Sequence, residues 1–221
     1  MTNPFDLVVR GEIVTADAII ADGYVVGQGG RIAAVGQGAP PAAARTLDHR
    51  GHLILPGLVD GHMHTSSSIG WEGIEGATRS AAAGGVTTCV DMPYDVPRPV
   101  TDAGVLAEKI AVVERTAHVD VALYGTIRKT GGIDAIAGLA AAGISAFKLS
   151  TYEYDPVRFP RIDHPTMLAA FREIAKTGLP VAIHNEDQEV VERLTDEARA
   201  AGQTQAIMHA RTRPPLAETM A

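Results

Sequence analysis

The residues with the most chemical content in this chain are His62 and His64, in Asp60-Gly61-His62-Met63-His64. They close an apolar run at 53–59 that reads as a strand. Alternate side chains of a strand share a face, so Asp60, His62 and His64 point one way and Met63 the other. Two imidazoles converging from one strand end make half of a metal site. On spacing alone, one structural histidine beside one surface histidine reads as well. Asp60 lies one pleat deeper than His62, which suits a supporting role better than ligation.

Lys148 is the second unusual residue. Ala146-Phe147-Lys148-Leu149 places an ammonium inside an apolar strand, where desolvation depresses its pKa. An ion pair with a neighbouring carboxylate is one explanation. The other is reaction of the neutral amine with carbon dioxide to give a carbamate, an anion whose two oxygens can bridge two cations. Imidazoles with such a group suit zinc, and manganese or iron fit the same ligand types. A third ligand-type residue, His184, ends a later apolar segment in Ile183-His184-Asn185-Glu186.

The elements that must position these residues change character at Pro56-Gly57. Residues 1–55 read as short strands at 5–10, 12–15, 24–28 and 31–35, punctuated by glycines, with a loop at 37–44 before 45–48 and 52–55. Residues 56–221 alternate strands at 58–62, 86–92, 119–126, 144–149 and 180–184 with helices at 74–83, 102–116, 133–142, 165–176 and 188–200. Thr101 serves as an N-cap, and Gly84, Gly143 and Gly178 stand where helices should stop. Strands separated by single helices make a parallel α/β sheet, whose functional rim is the carboxyl end of its strands. His62, His64, Lys148 and His184 all fall at that rim.

Composition limits the partners. The chain has 221 residues, 46% apolar and 20% charged, with a formal charge of -7. That is ample for a core and argues against a nucleic-acid surface, leaving a small molecule as the expected partner. No apolar run has the length of a bilayer span and the N-terminus lacks a signal-peptide pattern, so membrane association is not expected and a cytoplasmic location is. The lone Cys89 excludes an internal disulfide and reads as a packing residue. His52, His118, His164 and His209 have no ligand context and read as structural, while Trp71 and Glu72 follow the histidine strand and are candidates to line the site's mouth.

With these residues in place, the chain resembles the cyclic amidohydrolases of the hydantoinase, dihydropyrimidinase, allantoinase and dihydroorotase group. The resemblance rests on Asp6-Leu7-Val8-Val9-Arg10-Gly11, Gly30-Arg31-Ile32-Ala33-Ala34-Val35-Gly36, the run from Leu55-Pro56-Gly57 to His64, Ala81-Ala82-Ala83-Gly84-Gly85-Val86-Thr87-Thr88 with Asp91-Met92-Pro93, Phe147-Lys148, and Ile183-His184-Asn185-Glu186. It implies a TIM-type (β/α) barrel flanked by a β-sandwich, with residues 1–55 a sandwich segment and 56–221 about the first five βα units. It also implies a binuclear centre of two divalent ions, zinc by ligand type. His62 and His64 would hold one ion, Lys148 as carbamate would bridge, and His184 would hold the second. The implied reaction is opening of a cyclic amide or ureide by a metal-bridging hydroxide, with one metal polarising the carbonyl.

The resemblance places a substrate-contacting or oxyanion-stabilising tyrosine just after the bridging lysine, for which Tyr152 is the candidate, with Tyr154 beside it. Asp95, in Met92-Pro93-Tyr94-Asp95, occupies a loop where allantoinases and dihydroorotases often carry asparagine, and is a substrate-binding candidate. The family's histidine on the sixth strand and aspartate on the eighth have no evident counterpart here. An eight-stranded barrel takes roughly 250 residues, and five strands cannot close. The expectation is therefore either a longer polypeptide or a second one, or a homo-oligomer, that completes the structure before it is active. The other reading is a non-catalytic scaffold or subunit that keeps the fold.

Overall fold

The computed structural model describes residues 5–70 and 72–221. The chain divides into two compact units, Met1–Gly57 and Leu58–Ala221. In the first, β1 (Phe5–Val14), β2 (Ile19–Gln28), β3 (Arg31–Gln37) and β4 (Ala43–Ile54) form one sheet in the order β3-β2-β1-β4. The β1–β2 and β2–β3 pairs are antiparallel and β4 runs parallel to β1. The sequence suggests breaks after residues 10 and 48, yet β1 and β4 each run through as one long strand. The β1–β4 register shifts between Arg10 and Glu12. Gly11 permits the approach, because a Cβ there would stand 2.6 Å from Ile54 Cγ1. The sheet buries Val8, Ile13 and Val26, and leaves Ile19, Ile32, Val35 and Leu53 exposed.

The second unit alternates strands and helices: β5 (Leu58–Met63), α1 (Gly73–Ala83), β6 (Val86–Asp91), α2 (Ala103–Thr116), β7 (Asp120–Gly125), α3 (Ile136–Ala141), β8 (Ala146–Ser150), α4 (His164–Thr177), β9 (Val181–His184), then α5 (Gln188–Ala200), α6 (Ile207–Arg211) and α7 (Pro215–Met220). The strands pair in chain order, all parallel, as a curled five-stranded sheet. This is a partial TIM-type barrel preceded by a β segment. Its edge strand β5 leaves Leu58 and Val59 exposed, although apolar residues on a parallel strand are normally covered.

The main core lies between β7, β8 and helices α2 to α4. It is built from Leu106, Leu123, Ile136, Leu139, Phe147, Leu149, Met167 and Ile174, among others. All five residues of β8 are buried. Alternation sends Phe147 and Leu149 into this core and Lys148 to the opposite face. At the end of β7, Gly125 leaves room for the side chains of Ile144 and Leu139, since a Cβ there would sit 2.9 Å from Ile144 Cδ1 and 3.3 Å from Leu139 Cδ1.

Helix ends differ from the sequence reading in one instructive place. The cap of α2 is Asp102, not Thr101: its extended backbone lets the carboxylate accept from the amides of Gly104 and Val105 at 3.0 Å each. Asp163 caps α4 and Asp187 caps α5 in the same way. At its other end α4 stops at Gly178, whose φ of 73° suits glycine. The expected helix at 133–142 begins as a single 3-10 turn, Ile133–Ala135, before α3.

Asp102→Ala should destabilise the protein by about 1 kcal/mol, a typical cap loss. Phe147→Ala should cost ~3–5 kcal/mol, as expected for truncating a fully buried aromatic. Urea unfolding of the two variants against wild type checks both values and their order.

Candidate functional site

Strand β5 and the turn after it bring His62 and His64 to the carboxyl rim. The two rings lie 5.2 Å apart at 43°, with their Nε2 atoms 3.2 Å from each other. Two nitrogens at zinc-bond length and the tetrahedral angle would stand roughly 3.3 Å apart, so the pair already has the bite of a metal chelate. His64 Nδ1 lies 2.8 Å from Ser67 Oγ. With Nδ1–H donating to Ser67, the Nε2 lone pair faces His62 and the site. Asp60 accepts the His62 backbone N–H at 3.0 Å, which makes it a backbone anchor for that residue.

Both imidazoles are held towards their neutral, ligating form. Desolvation lowers the pKa of His62, with a further push from the charge of Lys148 and a smaller one from His184, against an upward pull from Asp60. Desolvation likewise lowers His64, followed by the charge of His62 and, less strongly, of Lys148. The fields of Lys148 and His184 thus reach the histidine pair from two other strands.

Lys148 is 6% exposed, and desolvation depresses its pKa. Among the described residues no carboxylate forms an ion pair with its ammonium. Its backbone carbonyl accepts from the hydroxyl of the buried Tyr94 at 3.2 Å. On the neighbouring strand the register pairs Lys148 with Ala182 and Ser150 with His184, so His184 stands one pleat farther out on the same face.

His184 Nε2 is 3.4 Å from Glu186 Oε2, and Arg213 Nε is 3.3 Å from the same oxygen. A carboxylate at Nε2 leaves Nδ1 as the open nitrogen of that ring. Phe159 packs edge-on against His184 at 5.3 Å and stacks on Tyr94 at 4.0 Å. Among the described residues no three His, Cys, Asp or Glu side chains converge as a ligand group. The donor set therefore fits a metal only as an imidazole pair completed by a modified Lys148, with His184 farther along the rim. An uncompensated buried amine is the chemistry that such a modification needs.

The other expected residues fall in different settings. The Tyr152 ring is 6.3 Å from that of His184. Tyr154 is largely exposed and lies under the Arg158 guanidinium. Asp95 is drawn into an ion pair with Lys109 at 2.7 Å, and its Oδ1 is buried with no hydrogen-bond partner among the described residues. Burial pushes the Asp95 pKa up against the opposing pull of Lys109. Trp71 lies outside the described residues, and Glu72 is the exposed residue that precedes α1. His209 sits in α6, exposed.

The sequence reading missed Lys109, Thr65 and Ser67. Lys109 had a usable signal: it stands three residues after Leu106 and one before Ile110, on the apolar face of α2, where a charge needs a buried partner.

Comparison with known proteins follows the same residues. The Dihydro-orotase-like family model matches residues 51–169. An allantoinase of Solibacter usitatus is 38% identical over 217 residues, covering 97% of this chain and 46% of that protein. An allantoinase of Rubrobacter xylanophilus is 37% identical over 224 residues, covering 97% and 47%. Among solved structures, L-hydantoinase (dihydropyrimidinase) from Arthrobacter aurescens superposes with a TM-score of 0.87 at 28% identity, covering 98% of this chain and 49% of that one. A D-hydantoinase gives 0.78 at 30% identity, covering 98% and 48%. The chain spans about half the length of the curated relatives it matches. The match takes in His62 of β5, His64 just after it and Lys148 of β8, and the chain belongs to the Dihydro-orotase-like family of cyclic amidohydrolases.

Proposed function

We propose that this chain carries the first half of a metal-dependent hydrolase that opens a cyclic amide or ureide ring, on the hydantoinase or allantoinase side of the family. The observation that carries the reading is the 3.2 Å approach of the His62 and His64 Nε2 atoms on a rim shared with a buried, uncompensated Lys148. Two divalent ions, zinc by ligand type, would supply Lewis acidity to the substrate carbonyl and to the attacking water.

Each residue then has a definite task. His62 and His64 would hold one ion through Nε2, and Ser67 fixes the His64 ring. Lys148 is neutral more readily than an exposed lysine, so its Nζ lone pair can form a bond to the carbon of carbon dioxide. Release of one proton to solvent would leave a carbamate, an anion that could contribute oxygen ligands to the metal centre. His184 would offer Nδ1 to the second ion, with Glu186 at its Nε2. Tyr152, beside His184, donates its phenolic hydrogen bond to the oxyanion that develops on the carbonyl. Asp95 is tied to Lys109 through Oδ2, so a contact with a ring N–H of the substrate would fall to Oδ1 and would require the loop to expose that oxygen. Further barrel strands, from the same polypeptide or a second one, cover the edges at β5 and β9 and supply the proton carrier for the leaving nitrogen.

The test uses protein expressed from the complete native gene with zinc and bicarbonate. Metal analysis should find close to two ions per site, and a panel of hydantoin, allantoin and dihydropyrimidine should show ring opening of at least one. Carbon-13 bicarbonate should give a carbamate resonance that disappears in Lys148→Ala. That variant and His64→Asn should each lose more than the roughly 10–100-fold that removing an outer hydrogen-bond partner costs. Full activity without bound metal, or with Lys148→Ala, overturns the reading.

A pH dependence follows from the depressed His64 pKa. The unfolded residue titrates near 6.5 and the folded one below it. Between those values the unfolded chain binds more protons, so zinc-free stability falls as pH drops through that window. Urea unfolding in chelator at about pH 7.5 and about pH 5.5 should show this loss, and a smaller one in His64→Gln.

A further inference from the structure

A buried charge cluster lies beside the β5 exit. Lys109 of α2 is 8% exposed, and its ammonium reaches Asp91 Oδ2 and Asp95 Oδ2 at 2.7 Å each and the Met92 carbonyl at 3.0 Å. Three donors thus meet three acceptors. Asp91 ends β6 fully buried. Its Oδ1 accepts the Thr65 backbone N–H at 3.0 Å and its Oδ2 the Thr65 hydroxyl at 2.8 Å. Two backbone bonds continue the seam: the Met92 N–H donates to the Met63 carbonyl at 2.8 Å, and the Val96 N–H to that of Ser66 at 2.9 Å.

The segment 63–66 that contains His64 is therefore laced to the segment 91–96. Lys109 holds the second segment in shape by occupying the space between its two carboxylates. Without that ammonium, Asp91 and Asp95 would share a buried site as like charges, and one must take a proton or move away. Either response disturbs the acceptor that fixes Thr65, the residue directly after His64. Ser67, the partner of His64 Nδ1, follows two residues later.

We infer that Lys109 is a positioning residue: from the helix layer it clamps the end of β6 against the exit of β5, and so sets the His64 ring with Nε2 open. This deepens the metal-centre reading and rests on it. It assigns a task at the rim to a residue on α2, remote in sequence from the ligand-type residues.

The experiment compares wild type, Lys109→Met and Thr65→Val in the complete protein. Thr65→Val is the milder variant: it removes the hydroxyl contacts to Asp91 and to Ser66 Oγ and keeps the backbone N–H bond to Asp91. Zinc affinity is measured by competition with a chromophoric chelator, and the His64 tautomer by nitrogen-15 NMR on zinc-free protein. Both variants should lose about 10–100-fold in zinc affinity, as outer hydrogen-bond partners of ligands do. His64 should pass from a single Nδ1–H tautomer to a mixture. An unchanged affinity and tautomer in folded Lys109→Met overturns the inference, and if that variant does not fold, the same result in Thr65→Val does. Wild type that binds no zinc defeats the metal-centre reading instead; the tautomer comparison then still decides whether Lys109 positions the ring.

Discussion

The structure of the second unit depends on a parallel strand covered on both faces. β8 is buried at every position, so each residue must be acceptable either to the helix layer or to the opposite face. Phe147 and Leu149 fill the helix side, and Lys148 is left on the other with its charge out of water. Desolvation is the only influence that moves its pKa, and the move is downward. An amine in that condition is a reagent as well as a strand residue. The register of β9 then sets how far His184 stands from it, and the exit of β5 sets where the imidazole pair stands.

The two buried lysines show how differently one functional group can be accommodated. Lys109 is compensated by Asp91, Asp95 and a carbonyl, and the result is a fixed connection between α2, β6 and the chain after β5. Lys148 has no such partner among the described residues. A buried ion pair adds little net stability and holds groups in place; a buried amine without one stays chemically available. Both kinds occur on one small unit, Lys109 on the apolar face of α2 and Lys148 between the apolar Phe147 and Leu149 of a fully buried strand.

Much of this was legible from the sequence. Alternation alone put His62 and His64 on one face, and the apolar setting of Lys148 marked it as unusual. The five strands and their helices fell within a few residues of their observed limits, because apolar runs of parallel strands and glycine stops are strong local signals. Long-range pairing was less legible. Gly11 reads as a break between two strands and is a register shift inside one, since only the presence of Ile54 across the ladder decides between them. Thr101 and Asp102 are both good caps, and the choice of Asp102 depends on which residue is extended where the helix begins. Asp95 reads as a loop carboxylate until Lys109 is brought against it.

The contact of Glu186 with His184 makes the rim mechanically lopsided. His62 and His64 offer their outermost nitrogen, at the end of a lever the length of the ring, while His184 keeps Nδ1, the nitrogen nearest its own backbone. A small rotation of the side chain sweeps the outer nitrogen through a wide arc and the inner one through a narrow arc. A group bound at His184 Nδ1 would therefore be tied closely to the main chain of β9, whereas one bound between His62 and His64 would depend on what steadies the rings. The bond to Ser67 and the lacing around Thr65 stand on the side that needs them.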